Sequence, residues 1–358
     1  METQEQDFNQ VKQQSIPYNA VQDAPSDERL SAFEIGQLWE GYMADSNANC
    51  ILQYFVAKAQ DPEIRSVLEY ALQLTINHQN VRTQIFNSVG FPIPHGFTDE
   101  DVEPNAKRLF SDGLMLTYTR YMTRYGAIKY FTSLTTSTRP DLREFYNQCI
   151  DEIQTLHTRA DEILIKKGFF SEEVYIPVPD RIQYVYEEKS MYKGIFGDKR
   201  PINALEIAQV FSRLESKLLE RPIVLGFSQV VQSQKIQKVF SEAKQVLDKN
   251  VQRWSKILRD EDLPLPVSLA HEISDSSESP FSDKLMLFHV LSIFGYSLTG
   301  YGIAIASCTR FDIVTAMNVS IAETMAWAKD AMDLIIESGW LEKIPQAADR
   351  QQIIGLQQ

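Results

Sequence analysis

Gly90-Phe91-Pro92-Ile93-Pro94, followed by a polar run to Ser111, separates two long helical hairpins in a chain of 358 residues. A shorter version, Leu263-Pro264-Leu265-Pro266, lies 172 positions after Phe91, with an equivalent run down to Ser282. Aligning the two copies divides the chain into similar halves. Each half then carries four long helices and one long, proline-marked link.

Local signals place the helices. Ser31-Ala-Phe-Glu34 is a capping box, in which Ser31 and Glu34 satisfy each other's free amides. Asn203-Ala-Leu-Glu206 repeats it in the second half. Asp61-Pro62 ends one helix and starts the next, with Asp as N-cap and Pro in the first helical position. Ser111-Asp112 opens the third helix. Thr138-Arg139-Pro140-Asp141 opens the fourth, which stops at Lys167-Gly168, a basic last turn and a glycine. Thr309-Arg310-Phe311-Asp312 and Ser338-Gly339 echo these signals.

Loop lengths select the topology. Helices 1 and 2 join tightly, as do helices 3 and 4, so each pair is antiparallel. The link between helices 2 and 3 is about twenty residues, long for a bundle connection. A helix of about 28 residues spans ~42 Å, and about twenty extended residues reach ~66 Å. The link therefore travels the length of the bundle. The predicted fold is all-α: two tandem ferritin-like four-helix bundles, each with a long crossover between helices 2 and 3. Residues 1–29 read as a mobile tail, 30–168 as the first bundle, 202–344 as the second and 345–358 as a C-terminal tail. Residues 169–201 carry many aromatics with Pro177 and Pro179, and are expected to pack as a linker fixing the two halves.

Composition narrows the function. A net charge of −13 argues against nucleic acid or an anionic lipid surface as partner. Cys50, Cys149 and Cys308 lie far apart with no CxxC spacing, which fits free thiols in a reducing, cytoplasmic compartment. No signal-peptide pattern opens the chain. Leu285 to Cys308 runs 24 residues without a charged side chain, long enough to span a bilayer. The matching helix of the first half carries Arg120, Arg124 and Lys129, which a bilayer resists. A central bundle helix and no membrane is the expectation.

Four stretches of the first half carry a resemblance. Leu30-Ser-Ala-Phe-Glu-Ile-Gly-Gln-Leu-Trp39, Gly90-Phe-Pro-Ile-Pro94, Gly96-Phe-Thr-Asp-Glu-Asp101 and Arg108-Leu-Phe-Ser-Asp112 resemble an uncharacterised ferritin-like family of spore-forming bacilli. Some members carry a provisional spore-coat label. The resemblance covers Leu30 to Asp180, and the second half keeps the framework with different words. It implies a ferritin-like domain duplicated in tandem and a link to sporulation; the expected role is that of a non-catalytic structural or interaction protein. It implies no established activity. The duplication would supply within one chain, as an internal pseudo-dimer, the pairing that single-bundle relatives reach by dimerising.

A two-metal carboxylate site needs Glu from two helices and Glu-x-x-His from the other two. No Glu-x-x-His occurs here, and Gly113 to Ser137 holds no Asp, Glu or His. A degenerate oxidoreductase is therefore the weakest of three readings. A milder layer remains. Asp45 and Asn49 interrupt the apolar stripe of helix 1, and His78 that of helix 2. Folding the hairpins about Asp61 and Thr138 sets Asp45, His78, Tyr121 or Tyr125, and Glu152 at one height. Asp45, His78 and Glu152 could ligate one divalent metal, or the set could be a buried hydrogen-bonded layer that specifies packing. In the second half these positions become Lys217, Arg221 (for Asn49), Asn250, Tyr296 and Glu323. A Lys217–Glu323 pair would place a covalently attached cation there, confining any metal or small ligand to the first bundle.

Other features have plainer readings. His157 and His289 read as partly buried histidines, and Cys149 as core packing. Arg120 and Arg124 pair with neighbouring acids rather than form an anion site. Asp99, Asp101 and Glu103 begin like a calcium loop, but Pro104 and Phe110 stand where its glycine and last glutamate belong. No phosphate loop or nucleophile elbow is present.

Overall fold

The computed structural model describes residues 29–171, 174–185, 199–269 and 272–350. Among these residues eight α-helices form: α1 (Ala32–Lys58), α2 (Pro62–Ser88), α3 (Asp112–Thr136), α4 (Pro140–Lys167), α5 (Ala204–Val230), α6 (Gln234–Arg259), α7 (Asp283–Ser307) and α8 (Phe311–Glu337). Among the described residues there is no strand. Two isolated antiparallel bridges, Val102 with Phe281 and Phe110 with Ile273, are the β features present.

The caps form as the sequence predicts. Ser31 and Asn203 close capping boxes with Glu34 and Glu206. Asp61 accepts from the amides of Glu63 and Ile64. Gly168 and Gly339 take the left-handed conformation at φ 74° and 70° that ends α4 and α8, where a Cβ would be strained.

Hydrogen bonds at the helix ends fix direction. Asp112, opening α3, accepts from the amides of Gln60 and Asp61 at the α1–α2 turn. The N-terminus of α3 therefore sits beside the N-terminus of α2, not beside its end at Ser88. The crossover has travelled the whole bundle, as its length demanded. Asp283 does the same for Gln232 and Ser233 in the second half. At the opposite end, Glu34 accepts from the amides of Thr138 and Arg139, and Glu206 from Thr309 and Arg310.

The two crossovers pair with each other. Glu103 donates to Pro280 and Ser282 to Asp101 through the backbone, and Ser111 and Ser274 exchange similar bonds with Glu272 and Leu109. The largest apolar cluster draws on both halves, from Trp39 and Phe55 to Phe227, Phe294 and Trp327. Each half keeps a second core farther out: Leu38, Phe86 and Phe145 in one, Leu214, Trp254 and Tyr301 in the other. Helix α7 is long and apolar enough to cross a membrane. Here Leu285, Val290 and Phe294 are buried in the shared cluster.

The linker departs from expectation. Phe169 and Phe170 pack on the core, but Tyr175, Val178, Ile182, Tyr184 and Val185 are exposed. Pro177 and Pro179 remove two of the amides a docked segment would use. The expected mobile tail at 1–29 lies, apart from Arg29, outside the described residues. So do the linker's 186–198 and the last eight residues of the C-terminal tail.

Candidate functional site

Mid-length in the first bundle, α2 and α4 face each other through His78 and Glu152, whose Nε2 and Oε2 lie 2.7 Å apart. The other ring nitrogen, Nδ1, lies 3.1 Å from the Tyr130 hydroxyl on α3. Cys149 stands one turn before Glu152 on the same face of α4. Its Sγ, the His78 ring nitrogen and a Glu152 oxygen lie within 4.8 Å of one another. Gln148 holds the second Glu152 oxygen at 2.8 Å. His78 is buried. Burial opposes its charge, but the Cys149 sulfur and the Glu152 carboxylate outweigh it and push its pKa up to about 10.

Asp45 does not join this group. It is bound by the Arg82 guanidinium, one turn beyond His78, and both side chains are buried. Burial raises the Asp45 carboxyl above the ordinary range, and Arg82 and His78 pull part of that back. Arg82 also lies over the Phe145 ring at 5.0 Å. It needs Gly41 on α1, because a Cβ there would collide with the guanidinium. Asn49 bonds Gln79. Tyr121 and Tyr125 are not in the layer: Tyr121 donates to Glu220 of the second half, and Tyr125 lies near Glu40. The tyrosine of the layer is Tyr130.

The second half corrects a pairing. Lys217, at the position of Asp45, binds Glu220 at 2.7 Å, together with Ser297, not Glu323. Both members of that pair are buried. Glu323 is bound by Arg253 at 3.0 Å. Arg253 also donates to Asn250 at 3.0 Å and Ser320 at 2.8 Å. Asn250, Ser320 and Glu323 are the repeat equivalents of His78, Cys149 and Glu152. Tyr301, the equivalent of Tyr130, donates to Asn250 at 3.2 Å.

A cavity of about 330 Å³ opens beside His78. Its wall is mostly apolar: Trp39, Met43, Ala48, Ala71, Leu74 and Ile153 come from the first bundle, and Phe288 from α7. Trp340, Leu341 and Ile344, beyond the end of α8, complete it. That strap is fastened by Glu342, which accepts from the amides of His95 and Gly96 in the first crossover at 2.8 and 2.7 Å. On the α7 side, His289 Nδ1 lies 2.6 Å from Asn47 Oδ1 and its Nε2 lies 2.5 Å from the Tyr118 hydroxyl. Burial lowers the His289 pKa to about 4. The ring is thus neutral near pH 7, donating from Nδ1–H to Asn47 and accepting from Tyr118.

No two-metal carboxylate site fits these residues. Among the described residues of α3 the one acid is Asp112, at its first turn. The Asp45 carboxylate already has a fixed cation. His157 is half-buried, with Thr123 at 2.6 Å and Asp161 at 3.3 Å. Arg120 and Arg124 pair with Asp161 and Glu215.

No curated protein matches the chain. A solved structure from Bacillus halodurans C-125, described as a "putative spore coat protein", matches with 16% identity over 44% of this chain and 99% of that one, at a TM-score of 0.36. The repeat seen in the capping glutamates, the paired crossovers and the two polar layers is a repeat of one domain. Residues 20–182 and again 190–353 match the family described as Protein of unknown function (DUF3231), and the chain belongs to it.

Proposed function

We propose that this protein binds one small, mainly apolar molecule in the first bundle. The observation that carries the reading is the cavity of about 330 Å³ under the Trp340–Ile344 strap. Protein interiors pack closely and leave few voids larger than a water molecule. An apolar void of about 150 Å³ is enough to hold benzene. One about twice that size has room for a two-ring or medium-chain compound. A purely structural role, the expectation that comes with the spore-coat label, accounts for the paired crossovers and leaves the cavity without a purpose. The wider hollow of about 490 Å³ elsewhere on the chain carries Arg120, Arg124 and Glu215 on its wall, which suits an apolar molecule less, so the proposal is confined to the cavity beside His78.

The neutral dye phenylnaphthylamine tests the reading by fluorescence titration. Saturable binding of one dye per chain is expected. Ala71 is buried on the cavity wall. Ala71→Leu should lower dye affinity at least tenfold, and by filling the void raise Tm by about 2–4 °C. Dye binding that Ala71→Leu leaves unchanged would place the dye elsewhere and overturn the assignment. The strap sets the exit rate. Glu342→Ala removes two charge-assisted bonds, so stopped-flow dissociation of the dye should quicken about tenfold.

Localisation is read separately. The family resemblance implies association with the spore, and a fluorescent fusion in sporulating cells should concentrate there; a signal spread evenly through the mother cell would contradict that.

A further inference from the structure

The two halves solve the same problem differently at one point. In the second half, Asn250, Ser320 and Glu323 converge on a cation, and that cation is the Arg253 guanidinium, 2.8 to 3.0 Å from each. In the first half the corresponding positions are His78, Cys149 and Glu152, and the position of Arg253 is Val81. The three side chains are replaced by types that ligate metals, and the apolar Val81 stands where the guanidinium would be. We propose that His78 Nε2, Cys149 Sγ and a Glu152 oxygen form a site for one divalent cation of borderline softness, of the zinc class.

Each part of the site has the form such a site requires. Imidazole, thiolate and carboxylate are the three side-chain types that zinc takes, and the thiolate disfavours magnesium and calcium. Ligands on tetrahedral zinc stand roughly 3.4–3.7 Å apart. The three donors, all within 4.8 Å of one another, reach that by side-chain adjustment alone. The His78–Glu152 contact opens by about 1 Å. The surrounding bonds are of the kind that orient metal ligands: Tyr130 on the far ring nitrogen of His78, and Gln148 on the second oxygen of Glu152. Three protein ligands leave a fourth position, and His78 borders the apolar cavity. Glu152, 21% exposed at its side chain, gives the ion a way in. Asp45, held by Arg82, is not a ligand.

Cobalt is the probe, because ligation by Cys149 gives a thiolate-to-cobalt charge-transfer band that carboxylate or imidazole binding does not. The reduced full-length protein should take up one Co²⁺ per chain with that band, and Zn²⁺ should displace it. Cys149→Ser should remove the band and weaken Zn²⁺ binding about 100-fold. Val81→Arg keeps all three donors and copies the second half's own solution. It should fold, by circular dichroism, and lose the ion to the same degree. Glu323→Gln should change nothing. No cobalt uptake by the wild-type protein, two ions per chain, or a band that survives either Cys149→Ser or Val81→Arg would each overturn the proposal.

Discussion

Arg82→Met is expected to destabilise the first bundle by about 3–5 kcal/mol in urea unfolding. Arg82 and Asp45 are 1% and 5% exposed. The pair itself gains little, because desolvating two charges offsets most of their attraction. Removing one member is different: it leaves a buried carboxylate without the cation bonded to it. The double variant Arg82→Met/Asp45→Leu should recover most of the loss, to within about 1 kcal/mol of wild type. The pH dependence has a definite sign. Burial already raises the Asp45 carboxyl above its ordinary value, and loss of Arg82 raises it further. An acid with a raised folded pKa contributes stability below its unfolded pKa, near 3.9, and loses that contribution as pH rises through the folded value. Arg82→Met should therefore cost less at pH 5 than at pH 8. A loss that is flat with pH, or a double variant no better than the single, would mean that Arg82 acts through its packing on Phe145 instead of its charge.

The helices were legible because their signals are local. Ser31, Asp61, Ser111, Asn203 and Ser282 each cap the helix that follows, with a bond to a backbone amide two or three residues on. The crossover was legible from length alone. The height of the polar layer was also legible, since folding a hairpin about a known turn is arithmetic. Its membership depended on rotation about each helix axis, and that is where the reading failed. Helix α3 buries Leu114, Met115, Leu116, Tyr118 and Tyr121 on more than one side, because its own bundle and the second half both cover it. A helix that is apolar nearly all round has no phase to read, so Tyr121 and Tyr125 stood in for Tyr130. Arg82 did leave a signal. Gly41 and Asp45 are one turn apart on α1, as are His78 and Arg82 on α2, and a glycine one turn from an acid makes room for a large cation. The Lys217–Glu323 error has a similar origin. Height along the bundle pairs Lys217 with Glu323, while Glu220, three residues along the same helix, takes the ammonium in space. The Trp340–Ile344 strap has no local signature. Its partners His95 and Gly96 lie some 246 positions earlier in the chain, and only the folded chain brings them together.

Glu206→Ala should be as damaging to the second half as Arg82→Met is to the first, about 3 kcal/mol or more near pH 7. Glu206 is fully buried, at 0% exposure, and it serves three elements. It closes the capping box of α5 with Asn203. It takes both amides of the α7–α8 turn, Thr309 and Arg310. It also binds the Arg200 guanidinium at 2.7 and 2.8 Å, tying the end of the linker to the bundle. Truncation takes the acceptor from the Asn203, Thr309 and Arg310 amides at once, and an orphaned buried donor costs more than the bond it made was worth. Glu206→Gln keeps the shape and loses the charge, so it isolates the electrostatic part. Burial would raise the Glu206 pKa, but the Arg200 bond and the three amides outweigh that and hold it at about 2, below the ordinary 4.5. A depressed folded pKa gives stability that is complete above the unfolded value and is lost as pH falls through the folded one. The gap between wild type and Glu206→Gln in urea should thus be constant from pH 8 to about 5 and narrow steadily from about pH 4.5 toward pH 2. Glu34 holds the same turn in the first half, with its pKa lowered in the same direction against burial by Ser31 and the Arg139 and Thr138 amides. Among the described residues no guanidinium sits on it in the manner of Arg200, so Glu34→Gln should show a smaller gap of the same shape. Equal gaps in the two halves would assign the effect to the backbone amides alone and remove Arg200 from the account.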